Sequence, residues 1–414
     1  MSPACAIIGG LMETGRGGAS PMVRRILATL AVVIILGVGS YLIWTGRGQE
    51  GDSASGRPIH VGFIDPLTGP FAAYGEPVRD GVLLAVDEIN SRGGVGGRRL
   101  VLHLEDDGGN PTTSVTAFTR LATVTRVPVV IGPLSSGASM AVAPLANRYQ
   151  VVQLSTLAGT IDLTNAGDFV FRMYPSSEIG SRYIANVAIR DFRARRIAIL
   201  YPSNAGGVTS RRFVTEIVTN AGAQVVATET YQDGDRDFRT QLTKIRQARP
   251  DVILASSYYE EGAQILAQAR QLGLNVPVLG EDGWFGPIAW TAGPALQNLY
   301  FANVDFSADQ PNGPAAQAFV RAFRARYHRA PNSYAAAGYA AVYVVAQAIE
   351  RGGDTGPGIR NALYRTDGAT AFGRVRYDRN GDNVGAAYAL FQLDQNNNPV
   401  RVTDLPPTPT TRSQ

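Results

Sequence analysis

Residues 59–107 read IHVGFIDPLTGPFAAYGEPVRDGVLLAVDEINSRGGVGGRRLVLHLEDD, and the order of patterns inside this stretch decides the fold. The run Ile59-His60-Val61-Gly62-Phe63-Ile64 is short, rich in β-formers and closed by Asp65-Pro66, which marks a strand. From Gly75 to Asn90 the apolar residues Val78, Val82, Leu83, Val86 and Ile89 recur at helical spacing. The glycine-rich loop Ser91 to Gly97 ends that helix, and Leu100 to Leu104 is the next strand, closing at Glu105-Asp106-Asp107. Strand, helix and strand in succession make the unit of a parallel sheet.

Outward from this stretch the rhythm continues. Thr112 to Thr125 reads as a helix, Val127 to Ile131 as a strand, Ser136 to Tyr149 as a helix and Val151 to Leu154 as a strand. After Ser176 it restarts, with helices at Ile179–Arg190, Thr209–Ala221, Phe238–Ala248 and Glu260–Leu272. Strands at Arg196–Tyr201, Gln224–Thr230, Asp251–Ala255 and Val278–Gly280 alternate with them. The strand runs are almost wholly apolar, as expected where helices cover both faces of a sheet. Ala315–Tyr327 and Tyr334–Arg351 read as further helices, and Ala371–Leu393 as strands around the turn Asp378-Arg379-Asn380-Gly381-Asp382. The expected class is α/β, with two doubly wound parallel-sheet lobes.

Ahead of the lobes, Ile26 to Trp44 is an uncharged run of about 19 residues behind Arg24 and Arg25, roughly 28 Å long as a helix. Basic residues before a long apolar run fit an export signal or an anchor that starts inside. An uncleaved anchor over 23–45 is the favoured reading, since the run is longer than a usual signal core; a cleaved signal and a buried core helix are the alternatives. Residues 1–22 are then cytoplasmic or a mis-assigned start before Met22, and 46–58 a Gly/Ser-rich linker. The tail 401–414 has the composition of a disordered end.

At 414 residues, with 45% hydrophobic and 17% charged residues, the chain has the make-up of a two-domain globular protein. Its net charge of +4 comes with no basic run, so nucleic acid is not an expected partner. The single cysteine, Cys5, excludes an internal disulfide. Three histidines, His60, His103 and His328, lack ligand spacing, so no metal is expected. There is no Gly-x-Ser-x-Gly elbow, and Lys244, the sole lysine, has no P-loop context. Gly93-Gly94-Val95-Gly96-Gly97 follows a helix and precedes a strand, the wrong order for a dinucleotide fingerprint. No enzyme motif and no cofactor requirement emerge.

Specific motifs carry a resemblance. Gly62-Phe63-Ile64-Asp65-Pro66-Leu67-Thr68-Gly69-Pro70-Phe71-Ala72-Ala73-Tyr74-Gly75, the segment from Gly81 to Arg98, Glu105-Asp106-Asp107, Ile131 to Ser136 and Gly262 to Gly273 together resemble the leucine/isoleucine/valine-binding proteins of bacterial ABC importers. The likeness runs from about Ile59 to Asp394. It implies two α/β lobes, joined by three hinge crossovers near Ser176, Phe306 and Ala371, that close on a ligand. Lobe one would be 57–176 plus 307–370, and lobe two 177–306 plus 371–400.

The resemblance also assigns a site. Ser136 matches the serine that holds a ligand α-carboxylate, and stands where helix N–H groups would assist it; plain N-capping is the structural alternative. Tyr74 and Tyr258 match tyrosines that line the pocket from the two lobes. Asp282 matches the acid opposite the ligand ammonium, or else is a turn residue. Two places depart from the pattern. In the loop Leu154 to Thr160, with Ala158, Gly159 and Thr160 as candidates, Gly159 stands where the family has a threonine and Thr160 is one place on. Gly206 stands where the family often has a tyrosine. Trp284 and Phe285 are then candidates to refill the space, with core packing as the alternative.

The implied role is capture of an amino acid, aliphatic first, on the outer face of a bacterial membrane and delivery to an ABC permease. Amides, urea-like compounds and aromatic acids remain open as ligands. A membrane-tethered sensor of the same fold is the second hypothesis; a neighbouring kinase gene rather than a permease gene would favour it. A cytoplasmic amidase regulator of related fold fits poorly with the hydrophobic N-terminus.

Overall fold

The computed structural model describes residues 56–284, 296, 298–394 and 399–403. The expected N-terminal helix, the start 1–22, Phe285 and the tail beyond 403 lie outside the described residues. Among the described residues no helix is long and apolar enough to cross a membrane.

The first lobe opens with β1 (Ile59–Asp65), α1 (Ala72–Ser91), β2 (Leu100–Asp106), α2 (Pro111–Arg120), β3 (Val129–Ile131), α3 (Ser136–Tyr149), β4 (Val152–Ser155) and β5 (Val170–Arg172). Its strands form one parallel sheet in the order β2-β1-β3-β4-β5. The second lobe follows with α4 (Ser177–Arg190), β6 (Arg196–Pro202), α5 (Ala205–Asn220), β7 (Gln224–Tyr231), α6 (Arg239–Gln247), β8 (Val252–Ala255), α7 (Tyr259–Gln271), β9 (Val278–Gly280) and β10 (Leu299–Val304). The chain then returns to the first lobe for α8 (Gly313–Tyr327), α9 (Ser333–Gly352), α10 (Gly356–Leu363) and the hairpin of β11 (Asp367–Thr370) with β12 (Gly373–Arg376). It ends on the second sheet with β13 (Tyr388–Leu393) and β14 (Pro399–Arg401).

That second sheet is ordered β14-β13-β10-β9-β8-β6-β7. Its parallel part, β7-β6-β8-β9-β10, repeats the first sheet strand for strand, and β13 and β14 add an antiparallel edge. Strand alternation sends Ala198, Leu200, Ile253 and Ala255 to one face, and Ile197, Ile199, Val252 and Leu254 to the other. Both faces are covered, which is why these strands read as continuous apolar runs.

In the first lobe α1 and α9 pack against each other through two glycines. A Cβ on Gly81 would sit 2.0 Å from the Ala335 carbonyl oxygen, and one on Gly338 would sit 2.3 Å from that of Val78. This close approach sets the start of α9, and with it Tyr334, beside the cleft.

Several elements differ from the sequence expectation. α2 ends at Arg120, and a single π-helical turn carries the chain to Thr125, closed by Arg126 with φ 59°. α5 begins at Ala205, not Thr209, because the Asn204 side chain accepts the Gly207 N–H and caps a turn whose glycines read as loop. The Asn380-Gly381 turn does not join a hairpin of two neighbouring strands. It is closed by the bridge Tyr377–Asn383, while β12 pairs with β11 and β13 with β10.

The third crossing between lobes lies beyond its expected place near Ala371. Ala371, Phe372, Val375 and Tyr377 belong to the first core. The Asn383 side chain donates to the Met173 carbonyl, and Asp382 pairs with buried Arg172. These bonds tie the turn to the end of β5, so the chain crosses between Asn383 and Tyr388.

Candidate ligand-binding site

The two lobes face each other across a cavity of about 140 Å³. Every loop that meets it follows the carboxyl end of a parallel strand, and α1, α3, α5 and α7 begin there. In doubly wound sheets that end is where ligands bind. From the first lobe come Phe71 and Tyr74 after β1, Leu134 to Ser136 after β3, and Leu157, Gly159 and Thr160 after β4. From the second come Asn204, Gly206 and Gly207 after β6, Ser256 to Tyr258 after β8, and Glu281 to Gly283 after β9.

The lobes are already in contact. The Tyr74 hydroxyl donates to the Gly283 carbonyl at 3.0 Å and accepts the Tyr259 N–H at 3.4 Å. The Tyr334 hydroxyl donates to the Asp282 carbonyl at 2.8 Å. Tyr258 stands edge-on to Phe71 and Tyr74, with centroids 5.8 and 6.3 Å apart. Two first-lobe tyrosines thus hold the backbone of the turn that carries the second lobe's acids.

On the first-lobe side, Ser135 caps α3 by accepting the Ala138 N–H, which leaves Ser136 free of that duty. The Ser136 hydroxyl instead accepts the Thr160 N–H at 3.3 Å. The Thr160 hydroxyl accepts the Asp162 N–H and caps a short 3-10 turn. Behind this loop sits Arg172, 1% exposed, which donates to the Thr160 carbonyl at 2.8 Å and pairs with Asp382. The Ser136 hydroxyl and the start of α3 meet at one corner of the cavity, where an anion is favoured, while Arg172 holds the Thr160 loop from behind.

The opposite wall is acidic. Burial, reinforced by the charge of Glu281, pushes the Asp282 carboxyl up to about 7. Burial also raises Glu281, against the pull of the hydroxyls of Ser181, Ser210 and Ser256 at 2.6, 2.6 and 3.3 Å. Among the described residues no Lys, Arg or His lines the cavity. The arrangement suits a small molecule with an anionic and a cationic end, held across the lobes.

Comparison with known proteins agrees. The family model described as periplasmic binding protein matches residues 58–398. The chain belongs to the periplasmic binding protein family. Within it, the chain is similar to a Leu/Ile/Val-binding protein of Rhizobium johnstonii, 30% identical over 81% of this chain and 92% of that one. It is 26% identical to a leucine-, isoleucine-, valine-, threonine- and alanine-binding protein of Pseudomonas aeruginosa, over 89% of this chain and 96% of that one. Among solved structures it resembles the branched-chain amino acid transporter substrate-binding protein of Streptococcus pneumoniae in complex with isoleucine. There the TM-score is 0.74 and the identity 28%, covering 83% of this chain and all of that one. As a periplasmic binding protein the chain is a solute-binding protein of the extracytoplasmic side, not an enzyme.

The structure brings Tyr74, Ser136, Gly159, Thr160, Gly206, Tyr258 and Asp282 to the cavity wall. Ala158 is not on that wall; it is 1% exposed, and its N–H is held by the Ser155 hydroxyl at 3.3 Å. Trp284 is a correction to the expectation that it refills the space opposite Gly206. It is fully buried in the second core and donates its indole N–H to the Ala255 carbonyl at 2.7 Å. Gly280 makes the slot for it, since a Cβ there would lie 2.3 Å from the indole. Gly206 faces open space, with only Asn204 Oδ1, at 3.4 Å, near an added Cβ. Sequence reasoning missed Glu281, Ser256 and Tyr334. The dipeptide Glu281-Asp282 at a strand end was the one visible signal, and only its second acid was used.

Proposed function

We propose that the protein captures a free α-amino acid, of the size of the branched-chain acids, between its lobes and delivers it to an ABC import permease. The observation that carries this is the polarity of the cleft: an anion corner on one lobe faces two half-buried acids with, among the described residues, no cation lining the cavity. The ligand carboxylate lies against Ser136 and the start of α3, near Thr160. The ammonium meets Asp282, because a buried carboxylate is stable as an anion only when paired. Tyr74 and Tyr258 close over the stem. Ligand contact with both walls favours the closed state of a hinge at the three crossings. The names of the Rhizobium and Pseudomonas relatives support an amino acid as the ligand. The apolar run 26–44 would hold the protein at the membrane or export it.

Titration calorimetry of isoleucine into protein that has been unfolded and refolded to strip carried-over ligand tests this reading. Asp282→Ala weakens binding by about tenfold or more, since one partner of a buried charge pair is lost. Equal affinity in the two proteins contradicts the ammonium assignment.

A further inference from the structure

The second-lobe wall carries more acid than one ammonium uses. Glu281 lines the same cavity as Asp282. Its Oε1 accepts two short bonds, from Ser181 and Ser210, but among the described residues its Oε2 accepts only the Ser256 hydroxyl, at 3.3 Å. A carboxylate offers about four acceptor sites, and 3.3 Å is long for an O–H···O bond. Ser256 and Asn204 line the cavity beside it, and Gly206 leaves the space in front of them open. An aliphatic side chain placed there would strip water from Glu281 and Ser256 and return no hydrogen bond. Leaving such groups unpaired is costly, and more so for a charge.

We propose that Glu281, Ser256 and Asn204, grouped around the open Gly206, form a side-chain subsite that selects amino acids bearing a hydrogen-bond donor over their aliphatic isosteres. The donor is a hydroxyl, an amide or an ammonium, and it occupies the free side of the Glu281 carboxylate. The apolar residues Leu134 and Leu157 on the facing wall take the hydrocarbon part of the same ligand. This subsite rests on the amino-acid reading above and narrows it.

Calorimetry on the refolded full chain with three near-isosteric pairs tests the subsite: threonine against valine, asparagine against leucine, and lysine against norleucine. In at least one pair the polar member binds about tenfold tighter or more, as expected where a site's buried polar groups are satisfied by one isostere and orphaned by the other. Glu281→Gln reduces that ratio about fivefold. If the apolar member binds equally or better in all three pairs, the subsite is overturned while the amino-acid reading stands. That result needs only the unmutated protein, so it holds even if the variant fails to fold. If the ratio is unchanged in a folded Glu281→Gln protein, Glu281 is not the selector and the subsite as assigned is overturned. If none of the six acids binds, the amino-acid reading itself has failed, and the subsite with it.

Discussion

Two groups of acids flank the cleft, and they are treated differently. Asp382, behind the first-lobe wall, is paired with Arg172, which also holds Thr160 and Thr164. Glu281 and Asp282, on the second-lobe wall, have hydroxyl and backbone partners but no cation among the described residues around the cavity. The first acid is part of the scaffold and is complete. The second pair is incomplete, and on the proposed reading the ligand ammonium supplies the cation to Asp282. The contrast separates structure from function in a way that burial alone does not, since all three acids are largely withdrawn from water.

The comparison breaks most visibly at Arg172. Arg172→Ala strands the Asp382 carboxylate and frees the loop at Thr160. It should lower stability by about 3–5 kcal/mol, read from denaturant unfolding. A loss under about 1 kcal/mol would show that Asp382 is not dependent on its cation.

The pH dependence sharpens the other half. Asp282 is raised to about 7 in the folded protein, against about 4 in an unfolded chain. Such a raised acid favours the unliganded fold below about pH 4, and that contribution is lost as pH rises through about 7. A ligand cation reverses the preference, because it pairs with the ionised form and must displace the proton below pH 7. Affinity should therefore weaken roughly tenfold from pH 7.5 to pH 6. Calorimetry in two buffers of different ionisation enthalpy should show proton release at pH 6. A flat profile without proton release would mean that Asp282 is ionised before the ligand arrives.

The smallest effect lies at the contact between the walls. Tyr74→Phe removes the cross-lobe bonds to the Gly283 carbonyl and from the Tyr259 N–H and should weaken ligand affinity by about 1 kcal/mol or less, mostly as faster release.

Much of this contrast was legible in the sequence, but unevenly. The two sheets followed from apolar runs alternating with helical spacing, because local pattern and burial agree there. Ser136 and Asp282 were reached through the resemblance, and their types fit an anion corner and a buried acid. β5 was missed because its three residues, Val170-Phe171-Arg172, include a charge that only a partner 210 residues on makes tolerable. Glu281 was missed for the same reason. Its three serines come from α4, from α5 and from the loop after β8, and no spacing links them. Trp284 stayed undecided between pocket and core because the slot at Gly280 is a property of the folded sheet, not of the local sequence. Long-range polar satisfaction leaves little periodic trace, whereas apolar burial does.

The most direct test of a bipolar ligand held between unlike walls removes one pole at a time. Calorimetry on refolded protein would compare isoleucine with isoleucine amide, which lacks the carboxylate, and with the matching 2-hydroxy acid, which lacks the ammonium. Binding of isoleucine with loss of about tenfold or more for each analogue is the predicted result. Retained affinity for the 2-hydroxy acid would contradict the claim that the unpaired acids of the second lobe await a ligand cation.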